Sequence, residues 1–125
     1  MVGLPYHIVI VMAKYLPRTL ESVLKRAVKE FQVVVLTGPR QSGKTTLLRH
    51  LFPSYAYTVL DDPLWREVVA SDPELFFETH RPPLILDEIQ AVPTLLPFIK
   101  QRVDAHRNRP GQFLLTGSQQ FPLMR

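Results

Sequence analysis

Between Leu20 and Phe31 the apolar residues recur at three- and four-residue steps: Leu20, Val23, Leu24, Ala27, Val28 and Phe31. That spacing predicts an amphipathic helix with Lys25, Arg26, Lys29 and Glu30 on its wet side, and Thr19 as its N-cap. The pattern changes at Val33. Val33 to Thr37 reads VVVLT, a β-branched run without polar alternation, as expected of a strand buried on both faces. Lys44 to Phe52 returns to helix and is stopped by Pro53. Tyr55 to Leu60 predicts a second strand. Asp62-Pro63 and Asp72-Pro73 each place an Asp N-cap before a proline at the first helical position. They open two short helices, and Trp65 in the first is expected to be a packing residue. Leu84 to Asp87 predicts a third strand. Thr94 is the expected cap of a helix running to about Arg107. Pro110-Gly111 then turns the chain into a fourth strand, Phe113 to Thr116.

Short buried strands joined by helical crossovers predict an α/β fold with a parallel sheet and right-handed connections. Ligands of such folds lie at the carboxyl ends of the strands. The N-terminal run Ile8 to Val11 is wholly β-branched and leaves two readings open: a short strand, or residues ahead of a translation start at Met12. Residues 1–14 are accordingly set apart as an extension or mis-assigned start, and 15–125 as a single domain.

Composition narrows the classes. The chain has 125 residues and 46% hydrophobic content, enough for one domain with a real core. Its twelve prolines are dispersed, so they punctuate elements rather than mark disorder. Cysteine is absent, which excludes disulfides and thiolate metal sites and suits the cytoplasm. The four histidines lie far apart, with no metal-ligand spacing. The apolar run from His7 to Ala13 is too short to cross a bilayer and lacks the marks of a secretory signal, so no membrane partner is expected. A net charge of +4 favours an anionic partner only weakly. The densest basic group, Lys100, Arg102, Arg107 and Arg109, is explained better by a solvated helix face than by a nucleic-acid patch.

The chemistry concentrates in two places. Gly38-Pro39-Arg40-Gln41-Ser42-Gly43-Lys44-Thr45 satisfies the phosphate-loop pattern, and Thr46 follows it into the helix. Glycines at both ends let the backbone turn tightly and approach an anion. The intervening N–H groups form a nest, to which the helix start adds its dipole. Lys44 is expected on the β- and γ-phosphates, and the Thr45 hydroxyl on Mg²⁺. Downstream, the strand Leu84 to Asp87 ends in two carboxylates, Asp87 and Glu88. Burying carboxylates is costly unless a cation compensates. Asp87 is therefore the expected second metal residue, and Glu88 the residue that orients and polarises the attacking water. An ordinary Asp–Glu turn cap is the plainer alternative for the pair.

The same stretch separates nucleotide enzymes. Gln90 stands where GTP-binding switches usually place glycine, and no Asn-Lys-x-Asp guanine motif is present. The chain is too short to hold the arginine-bearing lid of small-molecule kinases. At the end of the fourth strand, Thr116 or Ser118 is a candidate contact for the water or the γ-phosphate; a simple capped turn remains the competing reading.

Four stretches, YLPRTLESVL, VVLTGPRQSGKTTLLR, LILDEIQAVP and FLLTGSQQF, carry a resemblance. Over Tyr15 to Phe121 the chain resembles the N-terminal half of a large family of poorly characterised prokaryotic AAA-type ATPases. The resemblance implies a P-loop NTPase fold of the additional-strand class, with the fourth strand between the loop strand and the acidic strand. It implies ATP and Mg²⁺ as ligands, with Lys44, Thr45, Asp87 and Glu88 in the roles above. It further implies truncation after the fourth core strand, and so a missing fifth strand, arginine finger and C-terminal domain. The loop strand would then have an open edge, which Ile8 to Val11 is a candidate to cover. ATP hydrolysis is the leading expectation. A non-catalytic nucleotide-binding fragment or switch and a small-molecule phosphotransferase are the alternatives. An unknown protein partner and a homo-oligomer belong to the same expectation, with nucleic acid as a weaker one.

Overall fold

A computed structural model of the chain describes residues 2–4, 8–13, 17–39, 42–106 and 108–118. In chain order the elements are β1 (Val2–Leu4), β2 (Ile8–Met12), α1 (Pro17–Glu30), β3 (Val33–Thr37), α2 (Lys44–Leu51), β4 (Ala56–Val59), α3 (Pro63–Ser71), α4 (Pro73–Thr79), β5 (Leu84–Asp87), α5 (Leu96–Ala105) and β6 (Phe113–Gly117). The strands form one sheet in the order β1-β2-β3-β6-β5-β4. From β2 to β4 every pairing is parallel, and β1 adds an antiparallel edge. This is the parallel α/β sheet that the strand and helix pattern predicts, and β6 lies between the loop strand β3 and the acidic strand β5, as the resemblance to P-loop ATPases implies.

The alternation of side chains along β3 explains the layering. Val33 and Val35 pack on one face with Phe76, Phe77, Leu95, Ile99 and Val103 of the α4 and α5 side. Val34 and Leu36 pack on the other with Leu20, Leu24 and Ala27 of α1 and Leu48 of α2. Both faces are covered, so β3, β5 and β6 lose the polar alternation of half-exposed strands. Trp65 is indeed a packing residue, edge-on to Phe76 with ring centroids 5.6 Å apart.

β2 is paired with β3 over five residues, from Ile8 opposite Val33 to Met12 opposite Thr37. The N-terminal run, the candidate to cover an open edge of the loop strand, thus lies on that edge. Val9 and Val11 are fully buried against the α1 side. One further bond, from the Ala13 N–H to the Thr37 carbonyl at 2.7 Å, extends the pairing to the mouth of the phosphate loop.

Asp62 and Asp72 cap α3 and α4 as expected, accepting from the backbone N–H groups of Leu64 and Leu75. Two expected caps are displaced. Thr19 lies inside α1, which begins at Pro17. Thr94 lies within a 3-10 turn, Pro93–Leu95, and α5 follows with Leu95 at its N-cap and no side-chain cap. Of the basic group on that helix, Arg102 is ion-paired to Glu74 at 2.7 Å, and Arg107 lies outside the described residues. The turn before β6 depends on Gly111, whose φ of +70° is unfavourable for other residues. A Cβ there would also stand 2.7 Å from the Tyr55 hydroxyl.

Candidate functional site

β3 delivers the chain to Gly38, whose N–H bonds the Gly117 carbonyl at the end of β6 at 3.3 Å. Gly43 then turns at φ 84° and ψ 14° and becomes the N-cap of α2. No atom lies within 4 Å of where its Cβ would stand, so the demand for glycine is conformational rather than steric. The first turn of α2 leaves backbone N–H groups without intrahelical partners, aimed back at the loop. Arg40 and Gln41, two expected members of the nest, lie outside the described residues.

Lys44 is buried, with only 6% of its surface exposed. A buried ammonium is costly unless its protons are matched. Here the loop supplies acceptors: the Gly38 carbonyl at 3.1 Å, the Pro39 carbonyl at 2.6 Å and the Ser42 hydroxyl at 3.5 Å. The side chain is therefore folded across the loop with its charge at the loop's mouth. Thr45 and Thr46 follow on α2, and together with Ser42, Gly43 and Lys44 they wall a cavity of about 240 Å³. The opposite wall is Asp87 and Glu88. The two sequence motifs, far apart in the chain, thus face each other across one space.

Asp87 ends β5 with both carboxylate oxygens engaged. Oδ1 accepts the Thr116 hydroxyl from the tip of β6, and Oδ2 accepts the Tyr57 hydroxyl of β4 at 3.1 Å. Burial, and then the charge and hydrogen bond of Asp87, push the Tyr57 phenol up to about 12. Tyr57 is thus held as a donor. Glu88 adopts a left-handed backbone, φ 61° and ψ 51°, a conformation that is uncommon for residues other than glycine. Its N–H donates to the Thr116 hydroxyl oxygen at 3.1 Å, and its Oε2 accepts from the Gln90 amide. Thr116 therefore ties Asp87 and Glu88 together through one fully buried hydroxyl.

Ser118, the other candidate on this strand end, is half-buried just after β6 and is not among the described residues walling the cavity. Tyr57 and Gln90 were not singled out as site residues from sequence. Gln90 sits two residues beyond Glu88, and an amide so close to a carboxylate is a usable signal. Tyr57 carries none: its reach to Asp87 follows only from the parallel register of β4 on β5.

Residues 30–125 match the family described as the AAA domain. The chain belongs to that family, one of nucleotide-binding ATPases. Two curated proteins, both uncharacterised, are similar to this AAA domain: Rv2008c of Mycobacterium tuberculosis and Mb2031c of Mycobacterium bovis. Each is 38% identical over 97 residues, a span that is 76% of this chain and 22% of the relative. No solved structure matches. Among the described residues no helix is long and apolar enough to cross a membrane.

Proposed function

We propose that this AAA domain binds Mg·ATP and hydrolyses it. The observation that carries the reading is the shared cavity: Lys44 and Thr45 on one wall, Asp87 and Glu88 on the other. Lys44 exchanges the Gly38 and Pro39 carbonyls for the β- and γ-phosphate oxygens. Among the described residues no cluster of three or more acidic, histidine or cysteine side chains could hold a metal alone. One hydroxyl, Thr45, and one carboxylate, Asp87, suit Mg²⁺, a hard cation that completes its shell with phosphate oxygens and water. Held by these two residues, it would supply positive charge to the phosphate oxygens.

Glu88 orients a water toward the γ-phosphorus. As the water oxygen bonds phosphorus, the bond to the bridging oxygen breaks, ADP departs with that electron pair, and Glu88 accepts a water proton. Thr116 and Gln90 act on Glu88 by fixing its backbone and its carboxylate.

A second reading, binding with little turnover, is favoured by one observation. Lys44 is the only cation among the described residues that wall the cavity, so no arginine is seen there to neutralise developing charge. Two measurements decide. Mg·ATP at a hundred times its dissociation constant should stabilise the wild type by about 2.7 kcal/mol in a melting scan. Lys44→Ala should remove that gain, and no gain in wild type sinks both readings. Glu88→Gln should then bind Mg·ATP normally and release no phosphate. Equal phosphate release from Glu88→Gln and wild type leaves only the switch.

A further inference from the structure

A second cavity, of about 580 Å³, lies between α2 and β4, and Arg49, His50, Phe52 and Tyr55 in its walls have no part in the reading above. Thr45 and Thr46 line both cavities, so the two are neighbours. Arg49 and His50 form one wall of the second; Phe52, Tyr55 and Tyr57 form the aromatic wall.

The walls are built rather than incidental. The Tyr55 hydroxyl donates to the Gly111 carbonyl at 2.6 Å, and the Tyr57 hydroxyl donates to Asp87. Both phenol tips are engaged elsewhere, which fixes the rings. The Arg49 guanidinium lies over the Tyr57 ring, 4.4 Å from its centroid. A stacked guanidinium keeps its N–H edge directed outward, in the geometry that receives phosphate. Arg49 is exposed and forms none of the ion pairs found among the described residues. His50, also exposed, stands beside it. Arg49 in the last turn of α2 already suits the helix dipole. That dipole asks for neither a ring beneath the guanidinium nor a cavity in front of it.

We propose that this cavity is a second ligand site that takes a nucleotide unit, its phosphate on Arg49 and His50 and its base against Phe52 and Tyr55. The volume lies in the range of small-molecule sites, roughly 300–1,000 Å³. Aromatic faces beside a cation are the usual means of holding a base without reading its sequence. The unit comes from one of two sources, a free mononucleotide or a single-stranded nucleic acid. Tyr57 links the site to its neighbour, since its ring carries Arg49 and its hydroxyl holds Asp87.

The site does not depend on the phosphate-loop reading, and the test keeps the two apart. The intact chain is titrated by calorimetry with uridine 5′-monophosphate and with a single-stranded oligothymidylate, each with and without saturating Mg·ADP. Binding in both conditions is expected, and Arg49→Glu or His50→Glu should weaken it by about tenfold, the loss of one charge-assisted contact. Both residues are exposed, so the variants should remain folded, with a single cooperative melting transition. Affinity that rises with oligonucleotide length identifies the polymer as the source; affinity already complete with the monophosphate identifies the free nucleotide. Three results would overturn the proposal: no heat from either probe at millimolar concentration, displacement of the probe by Mg·ADP, or equal affinity for ribose 5-phosphate. Failure of Mg·ADP itself to bind, with the probes still binding, counts against the phosphate-loop reading alone.

Discussion

At the scale of single residues, Thr116 carries the most structure per atom. Its hydroxyl has one proton to donate and lone pairs to offer. The proton goes to Asp87 and a lone pair receives the Glu88 N–H. Thr116→Val keeps the shape and removes both bonds, leaving a buried N–H and one carboxylate oxygen without that partner. A stability loss of about 1–3 kcal/mol is predicted. Turnover should fall more than the affinity for Mg·ATP, because in the mechanism proposed above Thr116 orients Glu88 rather than touching phosphate. Thr116→Ser should restore both properties. Equal turnover in wild type and the valine variant would remove Thr116 from the mechanism. Tyr57 makes a prediction about pH. Its folded phenol is pushed up to about 12, above the ordinary value of 10.0. A raised folded value means that its stabilising contribution is complete below pH 10.0 and is lost as pH climbs toward 12. In an ultraviolet titration Tyr57→Phe should delete a phenolate that ionises near 12 in the wild type.

At the scale of elements, β2 is the segment whose role is easiest to test. It lies beside β3, buries Val9 and Val11, and is followed by an Ala13 N–H bond to Thr37, the last residue of the loop strand. A Cβ on Gly38 would stand 2.9 Å from the Ala13 Cβ, so this segment also presses on the first glycine of the phosphate loop. The two valines together represent at least about 3 kcal/mol of apolar burial. Removing residues 1–12 should therefore lower the melting temperature and weaken Mg·ATP binding together. A truncated chain with unchanged melting and affinity would show β2 to be ornamental. Elements such as β3, β5, β6 and the Asp-Pro helix starts were legible because their signals are local: an apolar run, a cap, a proline. Thr94 misled because Pro93–Leu95 fold into a 3-10 turn first, so the apparent cap falls one turn early. The facing of Lys44 and Thr45 against Asp87 and Glu88 was legible from motif chemistry. The bonds that Tyr57 and Thr116 make to Asp87 were not, since they depend on which strands are neighbours and in what register.

At the scale of the whole molecule, the hydrolysis proposed above raises the question of where compensating charge would come from. Phosphoryl transfer spreads negative charge over the γ-oxygens, and an arginine supplied there raises rates on the order of a thousandfold or more. In the described part of the cavity wall the only cation is Lys44. The cavity lies on the rim of the sheet, past the carboxyl end of β3 and at that of β5. A second copy of the chain could present an arginine to that rim, and a contact of this kind obeys mass action. Phosphate release per chain should then rise with protein concentration, in step with a growing assembly seen by light scattering. Glu88→Gln chains mixed into wild type should depress the rate beyond simple dilution, because they still assemble without turning over. A rate per chain that stays constant from nanomolar to micromolar protein would mean that each chain acts alone, with its charge balanced by Lys44 and the metal.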